Sequence, residues 1–111
     1  MNSDARVEDG INLEVPGTAL VEQIAERIAW HNRGATDAGE ELETIRQRSD
    51  DDPGSGDFVK MELRRRELAR MLRSHEERAR FLHFVHRHLD PARTYRLKLR
   101  ELAEFDITPQ V

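Results

Sequence analysis

The chain has 111 residues, of which 36% are charged and 5% aromatic, with a formal charge of −4 and no cysteine. That length suits one domain, and the missing cysteines exclude a disulfide framework and thiolate chemistry. So few aromatic residues argue against a β-sandwich, whereas abundant charge suits helices with one apolar stripe beneath a solvated face.

Met1 to Gly10 is acidic and lacks the basic-then-apolar order of a secretory signal. No apolar run has the length of a membrane span, so the expectation is a cytoplasmic protein without membrane contact. Residues 1–15 read as a flexible or extended tail, with Ile11, Leu13 and Val15 able to pack in extended form. Pro16-Gly17-Thr18 is a stop followed by a helix start, with Thr18 in the N-cap role.

Apolar or small residues then recur at Val21, Ile24, Ile28, His31, Ala35, Ala38, Leu42 and Ile45, an unbroken alternation of three- and four-residue steps. This is a heptad stripe, and it predicts a helix over about 18–48. Gly34, Gly39 and the Asp37/Glu40 capping pattern oppose continuity; the preserved phase favours one helix. Ser49 to Asp57, rich in Asp, Gly and Pro, is a loop. A second heptad stripe follows at Phe58, Met61, Arg65, Leu68, Leu72, His75, Ala79, Leu82, His86 and Leu89, giving a helix over about 58–89. Asp90-Pro91 then reads as the cap and first position of a third helix over about 91–104, with Tyr95, Leu99 and Leu102 inward. Residues 108–111 form a short tail.

The expected fold is therefore all-α: a long antiparallel helical hairpin within a single domain (16–107), closed at one end into a three-helix bundle. Folding about the loop pairs residues whose numbers sum to about 107. Ile24 then meets Leu82, and His31 meets His75 on the seam. The register also accounts for a charge asymmetry. Residues 1–57 carry 5 basic and 14 acidic residues (net −9), and residues 58–111 carry 13 and 8 (net +5). Glu40, Glu41 and Glu43 come opposite Arg64 to Glu67, as flanking charges do in a coiled coil.

Three function classes follow, in order. The first is a non-catalytic protein–protein interaction module, a homodimer or a small subunit or adaptor of a larger assembly. Its interface would be the thin loop-side seam of Ala35, Ala38, Leu42, Ile45, Arg65 and Leu68. The second is a nucleic-acid-associated subunit using Arg80, Arg87, Arg93, Arg96 and Arg100, which have few acidic neighbours. The third is a metal-binding bundle using His31, His75, His83 and His86. No Glu stands three residues before any of these histidines, so a di-iron carboxylate pattern fails, and structural zinc without cysteine is disfavoured. Interior histidines, bonded to each other, to water or to a nearby side chain, are preferred to a metal site at His31 and His75. Two charged seam histidines would repel, which makes acid sensitivity near 6.5 a corollary. No cofactor and no catalytic group is expected: the Pro53–Gly56 stretch lacks the phosphate-loop ending, and no nucleophile elbow is present.

Overall fold

A computed structural model describes residues 12–51 and 57–107. The expected tails at 1–11 and 108–111 and the Pro53–Gly56 connector lie outside them. The elements are strand β1 (Asn12–Pro16), helix α1 (Gly17–Asp51), helix α2 (Phe58–Arg87), strand β2 (Thr94–Lys98) and helix α3 (Leu99–Glu104). The protein is thus mostly helical, as its periodicity predicts, but it is not all-α.

α1 is one helix through Gly34 and Gly39, so the heptad phase prevails over the internal cap signals. It also runs past the expected end at 48, with Arg48 in its last turn to offset the negative end of the dipole. α2 ends slightly early, at Arg87. His88 and Leu89 follow in tighter turns, donating to the carbonyls of Val85 (3.0 Å) and His86 (3.3 Å).

Two compact units divide the described chain. The terminal unit comprises residues 12–28 and 81–107. Here β1 and β2 pair antiparallel, Leu13 opposite Leu97 and Val15 opposite Tyr95. Those four side chains are half-buried, while Glu14 and Arg96 lie exposed on the other face. The core joins Leu20, Ile24 and Ile28 of α1 to Leu82 of α2, Leu102 of α3 and Ile107. Ile24 and Leu82 are both fully buried, as the sequence register requires. Burying a side chain of this size is worth about 1.5–3 kcal/mol.

The expected third helix over 91–104 is corrected here. Asp90 to Arg93 is a β-turn, with the Arg93 N–H donating to the Asp90 carbonyl (3.1 Å) and the Ala92 N–H to Asp90 Oδ1 (2.9 Å). Asp and Pro suit the first two positions of such a turn as well as they suit a helix start. Residues 94–98 then form a strand, and α3 is only six residues long. What packs over α1 and α2 in this unit is therefore a two-stranded sheet and one short helix, not a third long helix. The Gly17 N–H donates to the Arg93 carbonyl (2.6 Å), which starts α1 one residue before Thr18 and leaves Thr18 exposed. α3 stops in a Schellman motif. Asp106 takes φ 58°, its N–H reaches the Ala103 carbonyl (3.1 Å), and the Ile107 N–H reaches the Leu102 carbonyl (2.9 Å). The hydrophobic partners of that motif, Leu102 and Ile107, are both core residues.

The central unit, residues 29–51 and 57–80, is a pair of helical segments. Ala38, Ile45 and Leu68 form its buried core, with Leu42, Met61 and Leu72 packed against them. Arg64 grips Glu41 of the other helix through two bonds of 3.0 Å, Nε to Oε1 and Nη2 to Oε2. Of the other expected flanking charges, Glu43 pairs with Arg46, Glu67 with Arg64, and Arg65 and Arg66 with Glu62, each on its own helix. The pairs are exposed, and such pairs contribute little to stability.

Candidate functional site

The core of the central unit is interrupted by a polar contact. His31 lies in the α1 stripe ahead of Ala35 and Ala38 and is 6% exposed. Its Nδ1 stands 3.0 Å from Nδ1 of His75 on α2. A nitrogen–nitrogen contact this short is a hydrogen bond, so one ring holds the proton and the other offers its lone pair. Trp30 packs edge-wise on both rings, with centroids 4.9 Å from His31 and 5.2 Å from His75. The far side of the His75 ring lies on Gly34. A Cβ built there would stand 2.5 Å from Nε2, 2.7 Å from Cε1 and 2.8 Å from Cδ2. The glycine that weakens the helix is thus the one that lets His75 approach its backbone.

A second feature lies on the opposite face of α2. Val59, Leu63, Arg66, Arg70 and Arg73 recur in steps of four and three, so they form one stripe about half a turn around the helix from Met61, Leu68 and Leu72. Val59 and Leu63 are 66% and 61% exposed, and Phe58 beside them is 54% exposed. Arg65, Arg66, Ala69, Arg70 and Arg73 line a shallow depression of about 450 Å³. Arg65 is spoken for: its guanidinium forks onto Glu62 at 3.0 and 2.6 Å. That fork, with a further contribution from Arg66, holds the Glu62 carboxyl down at about 2. Arg70 and Arg73 make no ion pair or hydrogen bond among the described residues.

The expected site residues fall as follows. His31 and His75 meet. His83 and His86 belong to the terminal unit, His83 exposed and His86 half-buried. Among the described residues no three His, Asp or Glu side chains are grouped to hold a metal ion. Of the interface residues, Ala38, Ile45 and Leu68 are buried within the central unit, Ala35 and Leu42 are half-buried, and Arg65 is exposed. Arg80 is exposed on α2, and Arg87, Arg93, Arg96 and Arg100 are exposed in the terminal unit. Sequence reasoning counted Trp30 with the apolar residues of α1 opposite Leu82 and Val85 rather than on the histidine pair, and it passed over the stripe through Val59 and Leu63. The stripe had a signal, a heptad spacing offset from the seam by two residues, but the more apolar seam masked it. No described helix is long and apolar enough to cross a membrane. No protein-family model, curated protein or solved structure matches this chain.

Proposed function

We propose that the protein is a non-catalytic helical interaction module whose central unit docks a partner helix along the outer face of α2. The observation that carries this reading is the run of exposed Val59 and Leu63 followed by Arg66, Arg70 and Arg73 at heptad spacing. Large aliphatic side chains more than half exposed, continuous with Arg70 and Arg73, which have no carboxylate partner among the described residues, suit a partner that brings both apolar and acidic side chains. The spacing suits a helix laid alongside. The outer stripe is preferred to the expected seam of Ala35, Ala38, Leu42, Ile45, Arg65 and Leu68 because Ala38, Ile45 and Leu68 are already buried within the central unit.

The test is fluorescence anisotropy with a designed helical peptide bearing Leu and Glu at heptad positions, together with sedimentation equilibrium of the full chain. Binding, or self-association, is expected to weaken at least about tenfold in Leu63→Asp and in Arg70→Glu. A strict monomer that ignores the peptide at low salt would contradict the reading. A single-stranded oligonucleotide bound instead, with affinity falling steeply with salt, would transfer the stripe to the nucleic-acid class.

A further inference from the structure

The His31–His75 contact has a proton limit built into it. Two free imidazoles accept two protons beyond their neutral forms. Facing Nδ1 to Nδ1 at 3.0 Å, the pair has one lone pair to accept one proton, so it can hold only one. The neutral pair carries two protons on four nitrogens; a third fits on the outer nitrogen of the donor ring with the bond intact, and a fourth would have to sit on the accepting Nδ1. A second extra proton would set two N–H donors against each other in a site where His31 is 6% exposed.

One turn away on either helix, no position carries a carboxylate. The residues one turn from His31 on α1 are Arg27, Ile28, Gly34 and Ala35; those one turn from His75 on α2 are Met71, Leu72, Arg78 and Ala79. The charged members are two arginines, both half-buried. The carboxylates of Glu76 and Glu77 follow His75 in sequence but are exposed, and adjacent helix positions do not share its face. Gly34 and Trp30 border the His75 ring on two sides.

We propose that His31 and His75 form a proton-sensitive latch between the two helices of the central unit, closed while they share a proton and released when both imidazoles are charged. The sign follows from proton counting. The unfolded chain binds one proton more than the latched pair, so stability falls as pH drops below about 6.5, where free imidazole titrates. The unfolding equilibrium constant then rises by up to about tenfold for each pH unit.

Trp30 is the chain's one tryptophan and touches both rings, so its fluorescence reads the latch directly. Urea unfolding of the full chain followed by Trp30, from pH 7.5 down to 5.5, is expected to show that rise. His75→Gln, which keeps a neutral hydrogen-bonding side chain, is expected to lose most of the slope, whatever His83, His86 and His88 contribute to both proteins. Equal slopes in the two proteins would overturn the proposal. If His75→Gln does not fold, the imidazole nitrogen shifts of the wild-type chain decide it. The second proton uptake is expected to coincide with loss of the folded spectrum, and two charged imidazoles in a chain that stays folded would overturn the latch.

Discussion

Gly34 and Gly39 stand five residues apart in the same helix, and the structure assigns opposite consequences to the same substitution. Alanine at either position gains about 1 kcal/mol of helix propensity. At Gly39 a new Cβ meets nothing within 4 Å, so that gain stands alone. At Gly34 the Cβ would lie 2.5–2.8 Å from three atoms of the His75 ring. The ring is a side-chain tip and can swing away, but it must move by about 1 Å to restore ordinary contact, and the 3.0 Å bond to His31 does not survive that. Leaving the buried His31 nitrogen without its partner costs about 1–3 kcal/mol, and loosening the Trp30 edge contacts costs about 0.5–1.5 kcal/mol more. Gly34→Ala is therefore expected to lower stability by about 1–3 kcal/mol net, and Gly39→Ala to raise it by about 1 kcal/mol. At about 4 °C per kcal/mol for a chain of this size, the two variants should melt on opposite sides of the wild type. Urea unfolding monitored through Trp30 measures both. Equal stabilisation by the two alanines would refute the claim that the His75 ring rests on Gly34.

Gly17→Ala places a Cβ against backbone atoms, the Asp90 carbonyl oxygen, the Arg93 carbonyl oxygen at 2.5 Å and the Pro91 Cα at 3.0 Å. No side chain can rotate to relieve this, so a loss of about 1–3 kcal/mol is expected in thermal unfolding. Asp106→Val puts a β-branched residue at φ 58° in the stop after α3, and it should cost about 1–2 kcal/mol by the same measurement. Glu62, held at about 2 chiefly by its hydrogen bonds to Arg65, should remain ionised in carbon-detected NMR titrations well below the ordinary carboxylate range. Its contribution to stability is present above the unfolded carboxylate value, about 4.3, and is lost as pH falls toward 2. Arg65→Gln should return the titration toward the ordinary range, and an unchanged Glu62 would contradict the assigned cause.

The central unit was legible in the sequence because one period dominates it. Steps of three and four from Ala35 to Ile45 and from Met61 to Leu72 leave a single register about the loop, and that register is what brings His31 to His75 and Ile24 to Leu82. The terminal unit was misread where two periods coincide. Tyr95 and Leu99 are four apart, which is one helical turn and also two strand alternations. Leu97 breaks the tie, since with Tyr95 and Leu99 it alternates with polar Arg96 and Lys98. Asp90-Pro91 strengthened the wrong choice, because a helix start and a type I turn ask for the same two residues. Pairing with β1 settles the matter in the fold, and that pairing spans about eighty residues of sequence, beyond the reach of any local pattern. At the candidate site, the histidines were visible as interruptions of an apolar stripe. The role of Gly34 was not, since nothing in a sequence shows which ring will lie across a given glycine.

The whole account depends on α1 and α2 meeting in the register that sets His31 against His75. Nitrogen-15 NMR of the full chain at neutral pH tests this directly, through the scalar coupling that passes across a hydrogen bond. The account predicts a cross-bond correlation between the Nδ1 nuclei of His31 and His75, with a single proton between them. Two imidazoles with no correlation, and ring protons that exchange with solvent like those of a free histidine, would contradict it.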